Sequence, residues 1–211
     1  IKKTKLCYQL LEGKDKTKDQ SYFLAELTQS DLSHTFFPLA NLTKKEVRKI
    51  ARKNNFPNWN KRGTSGICFV GKINMQNFLK QKIKNKQGKI LNPERKIVGY
   101  HPGVYYFTIG QRIGSRLGIQ LTSHLKGKWY VAKKDIKTNT IIVAPEDHPT
   151  LKKQKVKIIK FHLINEKEEI PKSLEARIRH LGSLYKGKLI KKDNIYYFKF
   201  NNPVEAIAEG Q

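Results

Sequence analysis

From Gly88 onward the chain is written in short strand-like runs separated by turn residues, and this pattern limits the available folds more than any other feature. The runs cover 88–91, 97–100, 104–108, 128–133, 140–144, 156–163, 174–181, 188–191, 195–200 and 204–208. Runs this short cannot be core helices, and their spacing predicts antiparallel sheets or a small barrel. Before Gly88 the periodicity is helical. Thr43 and Glu46 stand at the spacing in which a hydroxyl and a carboxylate satisfy each other's orphan amides. Val47, Ile50 and Ala51 follow as an apolar stripe, with Lys44, Lys45, Arg48, Lys49, Arg52 and Lys53 on the other faces. Asn54, Asn55 and Pro57 end that helix, and a second is predicted from Asn74 through Phe78, Leu79 and Ile83. The fold class expected is α+β. The turn Asp147-His148-Pro149-Thr150 divides the strands into two groups, which places a domain boundary there.

Size and charge narrow the function. The 211 residues are 38% hydrophobic with 10 Phe, 9 Tyr and 2 Trp, enough for packed cores. Against 43 Lys+Arg stand 17 Asp+Glu, a net charge of +26 spread over the whole length. Such a field suits a polyanion. A membrane surface is the weaker candidate, because no apolar stretch approaches the roughly 20 residues that span a bilayer and no basic helix has a broad apolar face. Nucleic acid fits better, with a solvated lysine-rich surface as the alternative. Cys7 and Cys68 lie far apart without metal-ligand spacing, so neither a zinc site nor a disulfide framework is expected, and a reducing compartment fits.

Four segments carry candidate chemistry. Cys68 lies in Lys61-Arg62-Gly63-Thr64-Ser65-Gly66-Ile67-Cys68-Phe69-Val70-Gly71, where Lys61, Arg62 and Lys72 would favour a thiolate if they fold close. A buried structural thiol is the alternative. In Lys18-Asp19-Gln20-Ser21-Tyr22-Phe23-Leu24 one reading makes Asp19 a cap and turns Tyr22, Phe23 and Leu27 inward. The other sends Lys18 to a phosphate and Asp19 and Gln20 to sugar or base edges. Along 174–181 the alternation puts Leu174, Ala176 and Ile178 on one face and Glu175, Arg177 and Arg179 on the other. Two arginines about 7 Å apart could then bracket successive phosphates, or merely face solvent. Arg112, after the turn at Gly110, is an anchor either for RNA or for its own domain. His34, His101, His124, His148 and His162 show no metal-ligand spacing and are assigned structural roles. There is no phosphate-binding glycine-rich loop, no Ser/His/Asp set and no paired carboxylates with acid/base spacing.

Taken together, Lys18 to Leu24, Phe37-Pro38-Leu39 with the Glu46 to Ala51 helix, Gly66 to Gly71, Thr108 to Arg112, Trp129-Tyr130-Val131 with Lys134-Asp135, His148-Pro149 and Gly210-Gln211 resemble the tRNA-specific 2-thiouridylase family in order and spacing. Each piece alone is weak, but the combination covers nearly the whole chain. The resemblance implies an α/β adenylating domain whose helical tail is residues 1–72 with the cysteine loop, a small β-rich central domain at 73–150, and an antiparallel β-barrel at 151–211. It implies a chain cut short at both ends, with the ATP loop and a partner cysteine upstream. The implied activity replaces O2 of the wobble uridine of tRNA with sulfur after ATP-dependent adenylation. Cys68 matches the cysteine that carries the sulfur as a persulfide. Lys18, Asp19, Gln20, Arg179, His180 and Gln211 match tRNA-contacting positions. The implied partners are tRNA and a persulfide donor protein, with ATP as cofactor and no metal or membrane.

Three departures stand out. Gly63 and Thr64 replace an acidic residue and serine of the cysteine loop. Residues 113–119 replace a glycine-rich run. His180 stands in place of tyrosine, which with Val143-Ala144-Pro145 is similar to the mitochondrial branch and makes a mitochondrion the expected compartment; a bacterial cytoplasm is the alternative, since an AT-rich genome explains the Lys and Asn content equally well. Two other functions compete: a non-catalytic basic RNA-binding module with a structural cysteine, and a rhodanese-type sulfur carrier for small molecules. The second leaves the charge of +26 without a purpose.

Overall fold

The computed structural model describes residues 1–211 except 62, 64–70, 72, 74, 115–116, 123, 168 and 211. The cysteine loop around Cys68, the predicted helix start at Asn74 and the terminal Gln211 therefore lie outside the described residues. The chain forms two compact units: residues 1–63 with 156–199, and residues 64–155 with 200–211.

In the first unit, strands β1 (Lys2–Lys3) and β2 (Tyr8–Gln9) pair antiparallel, and helices α1 (Gln29–Ser33) and α2 (Lys44–Lys53) follow. The predicted cap on α2 is present: Glu46 N donates to Thr43 Oγ1 at 3.2 Å, and Thr43 N donates to the Glu46 carboxylate at 2.6 Å. The Thr43 amide, with the Lys14 ammonium and the Thr43 hydroxyl, holds the Glu46 carboxyl down to about 2. Thr28 and Asp31 make the same device on α1. The predicted stripe on α2 is not buried, however, since Val47 and Ala51 are half-buried and Ile50 is 47% exposed.

The second unit opens with α3 (Met75–Lys82), whose Leu79, with Ile83 just beyond, packs on a core of Ile90, Val98, Val104, Tyr106, Phe107, Val131, Ile141 and Val143. That core covers strands β3 (Gly88–Leu91), β4 (Ile97–His101), β5 (Gln120–Leu121), β6 (Trp129–Asp135) and β7 (Thr140–Pro145), in sheet order β5-β4-β3-β7-β6. β3 and β7 run parallel, where the pattern predicted antiparallel pairing. The run 104–108 is not a strand but a 3-10 turn over Val104–Tyr106. Its residues Val104, Tyr106 and Phe107 are all buried, and a pleated strand cannot send adjacent residues to one face. Gly110 sits at φ +82, where an added Cβ would stand 2.3 Å from that of Ala206. Only glycine fits that approach.

The remaining strands form a sheet of order β8-β11-β10-β9, from β8 (Lys152–Ile158), β9 (Leu174–Arg177), β10 (Leu184–Lys192) and β11 (Ile195–Glu205). Asp193 and Asn194, at φ 49 and 59, make the tight turn between β10 and β11, a backbone that short polar side chains tolerate. The predicted runs 195–200 and 204–208 fuse into the single strand β11. The run 174–181 stops at Arg177, because Leu181 takes φ 56 and Gly182 N bonds back to Arg179 O at 3.0 Å. The predicted strand bearing both arginines on one face therefore does not extend to Arg179. The whole is α+β and β-rich.

Candidate nucleic-acid interface

Within the first unit, segments from opposite ends of the sequence are stitched together. The Gln29 side chain accepts from Tyr8 N at 2.8 Å and donates to Tyr8 O and Ile164 O at 2.9 and 3.0 Å. His162 Nε2 donates to Leu27 O at 2.9 Å, and Lys160 pairs with Glu26 at 2.7 Å. Arg177 reaches Glu12 at 3.1 Å. The bond from Lys16 lowers the Glu12 pKa against the opposing effect of burial, and Arg177 adds to the lowering. The Arg177 side chain is 19% exposed, so this arginine serves the fold and is not a second phosphate clamp.

These contacts bring the Lys18 to Phe23 segment beside Arg179 and His180. The Phe23 and His180 rings lie 4.6 Å apart, and Tyr22 lies 6.0 Å from His180. Asp19 is 8% exposed, and its carboxylate accepts from Gly13 N at 2.6 Å, from Ser21 N at 3.1 Å and from the Ser21 hydroxyl. Burial pushes the Asp19 carboxyl up, but the bonds from Ser21 and Gly13 outweigh it and leave its pKa below the ordinary value. Asp19 therefore faces inward and fixes the turn that presents Lys18 and Gln20, both exposed. Arg179 is exposed as well. Phe23, which one of the two readings of this segment turned inward, is 64% exposed. The reading that turned Tyr22 and Phe23 inward together is replaced by an aromatic cluster, in which Tyr22, half-buried, and Phe23, exposed, touch edge-on and both lie against His180.

A basic sheet face begins at the same corner. In register, Leu184 pairs with Arg177 and Lys186 with Glu175. Along β10 and β11 burial alternates, leaving Lys186, Lys188 and Lys199 exposed around the buried Gly187, Phe198 and Phe200. None of these three lysines belongs to an ion pair among the described residues. Glu175 faces Lys186 across the strand pair, but the face stays net basic, and such a face attracts a polyanion and carries no base information.

The other predicted groups fall elsewhere. Arg48 Nη2 donates to Lys61 O at 3.0 Å, which ties α2 to the entrance of the cysteine segment. Arg112 pairs through its backbone with Tyr130, and its charge helps lower the Glu146 pKa behind the larger effects of Lys128 and Tyr130. The anchor reading within its own domain thus has a partner. His101 is buried, accepts from Gly103 N through Nδ1 at 3.1 Å, and His148 Nδ1 caps the turn at Pro149–Leu151. A cleft of about 680 Å³ lined by Lys3, Lys5, Cys7, Gln29, His162 and Lys167, among others, shares no residue with the corner.

Among the described residues no group of His, Cys, Asp and Glu could hold a metal ion. No helix among them is long and apolar enough to cross a membrane. A triphosphate needs free amides at a helix start or a glycine-rich turn. The start of α2 offers neither, because Glu46 accepts from Thr43 N and Asp15 accepts from Lys44 N at 2.9 Å.

Three family models match along the chain: the tRNA methyl transferase HUP domain at residues 1–72, the tRNA methyl transferase PRC-barrel domain at 76–145 and the aminomethyltransferase beta-barrel domain at 153–211. The tRNA-specific 2-thiouridylase MnmA of Malacoplasma penetrans is 43% identical over 208 residues, covering 97% of this chain and 54% of that protein. The protein of the same name from Karelsulcia muelleri is 37% identical over 235 residues, covering 98% and 60%. This chain belongs to the tRNA-specific 2-thiouridylase family. A third 2-thiouridylase, from Nitrosomonas europaea, is 47% identical over 146 residues, covering 68% of the chain and 40% of that relative. The chain spans little more than half the length of the first two relatives, at 54% and 60%.

Proposed function

We propose that this 2-thiouridylase chain is the tRNA-gripping and sulfur-delivering part of a tRNA uridine 2-sulfurtransferase acting at the wobble uridine. The observation that carries the reading is the contact of Phe23 with His180, which brings the turn bearing the exposed Lys18 and Gln20 to the segment bearing the exposed Arg179, next along the chain to the lysine-bearing strands β10 and β11. Lys18, Arg179 and the lysines supply charge for the RNA backbone, Gln20 supplies a two-way hydrogen-bonding edge, and Asp19 holds the turn. Gln211 is assigned to the same tRNA on the family resemblance.

Cys68 is the proposed sulfur carrier. Charged as a persulfide by a donor protein, its terminal sulfur attacks C2 of the adenylated uridine and AMP leaves with O2. The partner cysteine that the resemblance places upstream then attacks Cys68 Sγ, so the S–S bond to the transferred sulfur breaks as a Cys–Cys disulfide forms. The activation is ATP-dependent adenylation of the uridine O2. The division at 1–72, 73–150 and 151–211 belongs to this proposal. So does the compartment, a mitochondrion, with a bacterial cytoplasm as the alternative.

Salt titration of tRNA binding tests the grip. Contacts to about 6 to 10 phosphates cost roughly three to five decades of affinity between 50 and 200 mM salt, and a flat response rejects the reading. Cys68→Ser in the full-length protein tests the chemistry. Thiolation is expected to vanish while tRNA still binds, whereas the 211-residue chain alone is expected to bind tRNA without thiolating it.

A further inference from the structure

We infer that Phe23 is a stacking platform for one unpaired base of the bound RNA, an inference that rests on the RNA-binding reading above. A phenyl ring left 64% exposed forfeits most of the burial that normally stabilises it. Here it is also held in place. Tyr22 meets it edge-on at 5.5 Å and 89°, and His180 backs it at 4.6 Å and 43°. The turn beneath is fixed by the buried Asp19, so the ring is presented with little freedom to lose on binding.

The surroundings choose the occupant. Lys18 and Gln20 are exposed on the same turn, and Arg179 is exposed next to His180. Cations flanking an open aromatic face fit a nucleotide, with phosphate on the cations and base on the ring. An apolar protein partner gains nothing from that flank. A base paired in a duplex has both faces covered by its neighbours, so the platform selects an unstacked nucleotide of a loop or a single strand.

The test uses the 211-residue chain and a single-stranded oligoribonucleotide carrying 2-aminopurine, with the same sequence as a duplex for comparison. Wild type is expected to quench the 2-aminopurine in the single strand and not in the duplex. Phe23→Ala is expected to weaken single-strand binding roughly 5- to 150-fold with the salt slope unchanged, because stacking releases no counterions. Phe23→Tyr retains the π face and should bind like wild type, whereas Phe23→Leu retains only apolar bulk and should bind like the alanine variant. Circular dichroism of each variant reports the fold, and at this exposure little change is expected. If wild type shows steep salt dependence but Phe23→Ala or Phe23→Leu binds as tightly, the platform is overturned and RNA binding stands. Wild type that fails to bind the single strand, or binds it without salt dependence, overturns both.

Discussion

The guanidinium of Arg177 lies 3.1 Å from the carboxylate of Glu12, joining the end of β9 to the chain just ahead of the Lys18 turn. Glu12 also holds Lys16 at 2.7 Å, so one carboxylate organises two cations. With Glu12 35% exposed, solvent screening limits the strength of the link.

A double-mutant cycle of Glu12→Gln and Arg177→Met is therefore expected to give a coupling of about 0.5 to 1 kcal/mol in urea unfolding. The coupling should shrink at 1 M salt, where the Debye length falls to about 3 Å. Coupling that is absent at low salt would mean that the pair does not join these segments.

Asp19 and Lys18 are expected to separate fold from binding. Asp19→Ala strips the acceptor from Gly13 N and Ser21 N and should cost about 1 to 3 kcal/mol of stability. Lys18→Ala should leave the thermal midpoint unchanged and reduce the salt slope of RNA binding by about 1. The lowered Asp19 pKa gives a signed pH effect: its contribution is complete above the unfolded aspartate value of about 3.9 and is lost as pH falls through the lower folded value.

On the sheet face, Lys186→Ala and Lys188→Ala are each expected to lower the salt slope by about 0.9 for a duplex phosphate or 0.7 for a single strand. Both side chains are exposed at the surface of β10, so urea midpoints should stay near wild type. Titrations at four salt concentrations measure the slope, and an unchanged slope removes the face from the interface.

His101 makes the second unit sensitive to acid. Burial lowers its pKa, and its Nδ1, accepting from Gly103 N, must be unprotonated. Unfolded chains then bind the extra proton more readily. The His101 contribution is whole above the unfolded value of about 6.5 and is lost as pH falls through the lower folded value. Unfolding between pH 7 and 5 should show declining stability, and His101→Phe, whose ring cannot titrate, should flatten that decline.

Much of this architecture was legible before any coordinates. The Thr43 and Glu46 cap is a three-residue device, and its bonds appear where the spacing put them. The strands at 88–91 and 140–145 stand close to their runs because each is a short β-prone stretch between turn residues. The bond from Ser21 N to Asp19 spans two residues and is local, but the sequence left Asp19 open between a cap and an RNA contact. The parallel pairing of β3 and β7 was not readable, since it depends on which distant strand fills the neighbouring edge.

The charge of +26, the β-rich second half and the order of family motifs are properties of the sequence itself, because composition and local periodicity do not depend on partners. The corner at Phe23 and His180 was decided only by tertiary structure. Its two segments are far apart in the chain, and the Glu12–Arg177, Glu26–Lys160, Leu27–His162 and Gln29–Ile164 contacts bring them together. Whether Asp19 faced solvent or the interior, and whether Phe23 joined the core or left it, turned on that packing and not on the residues' own preferences.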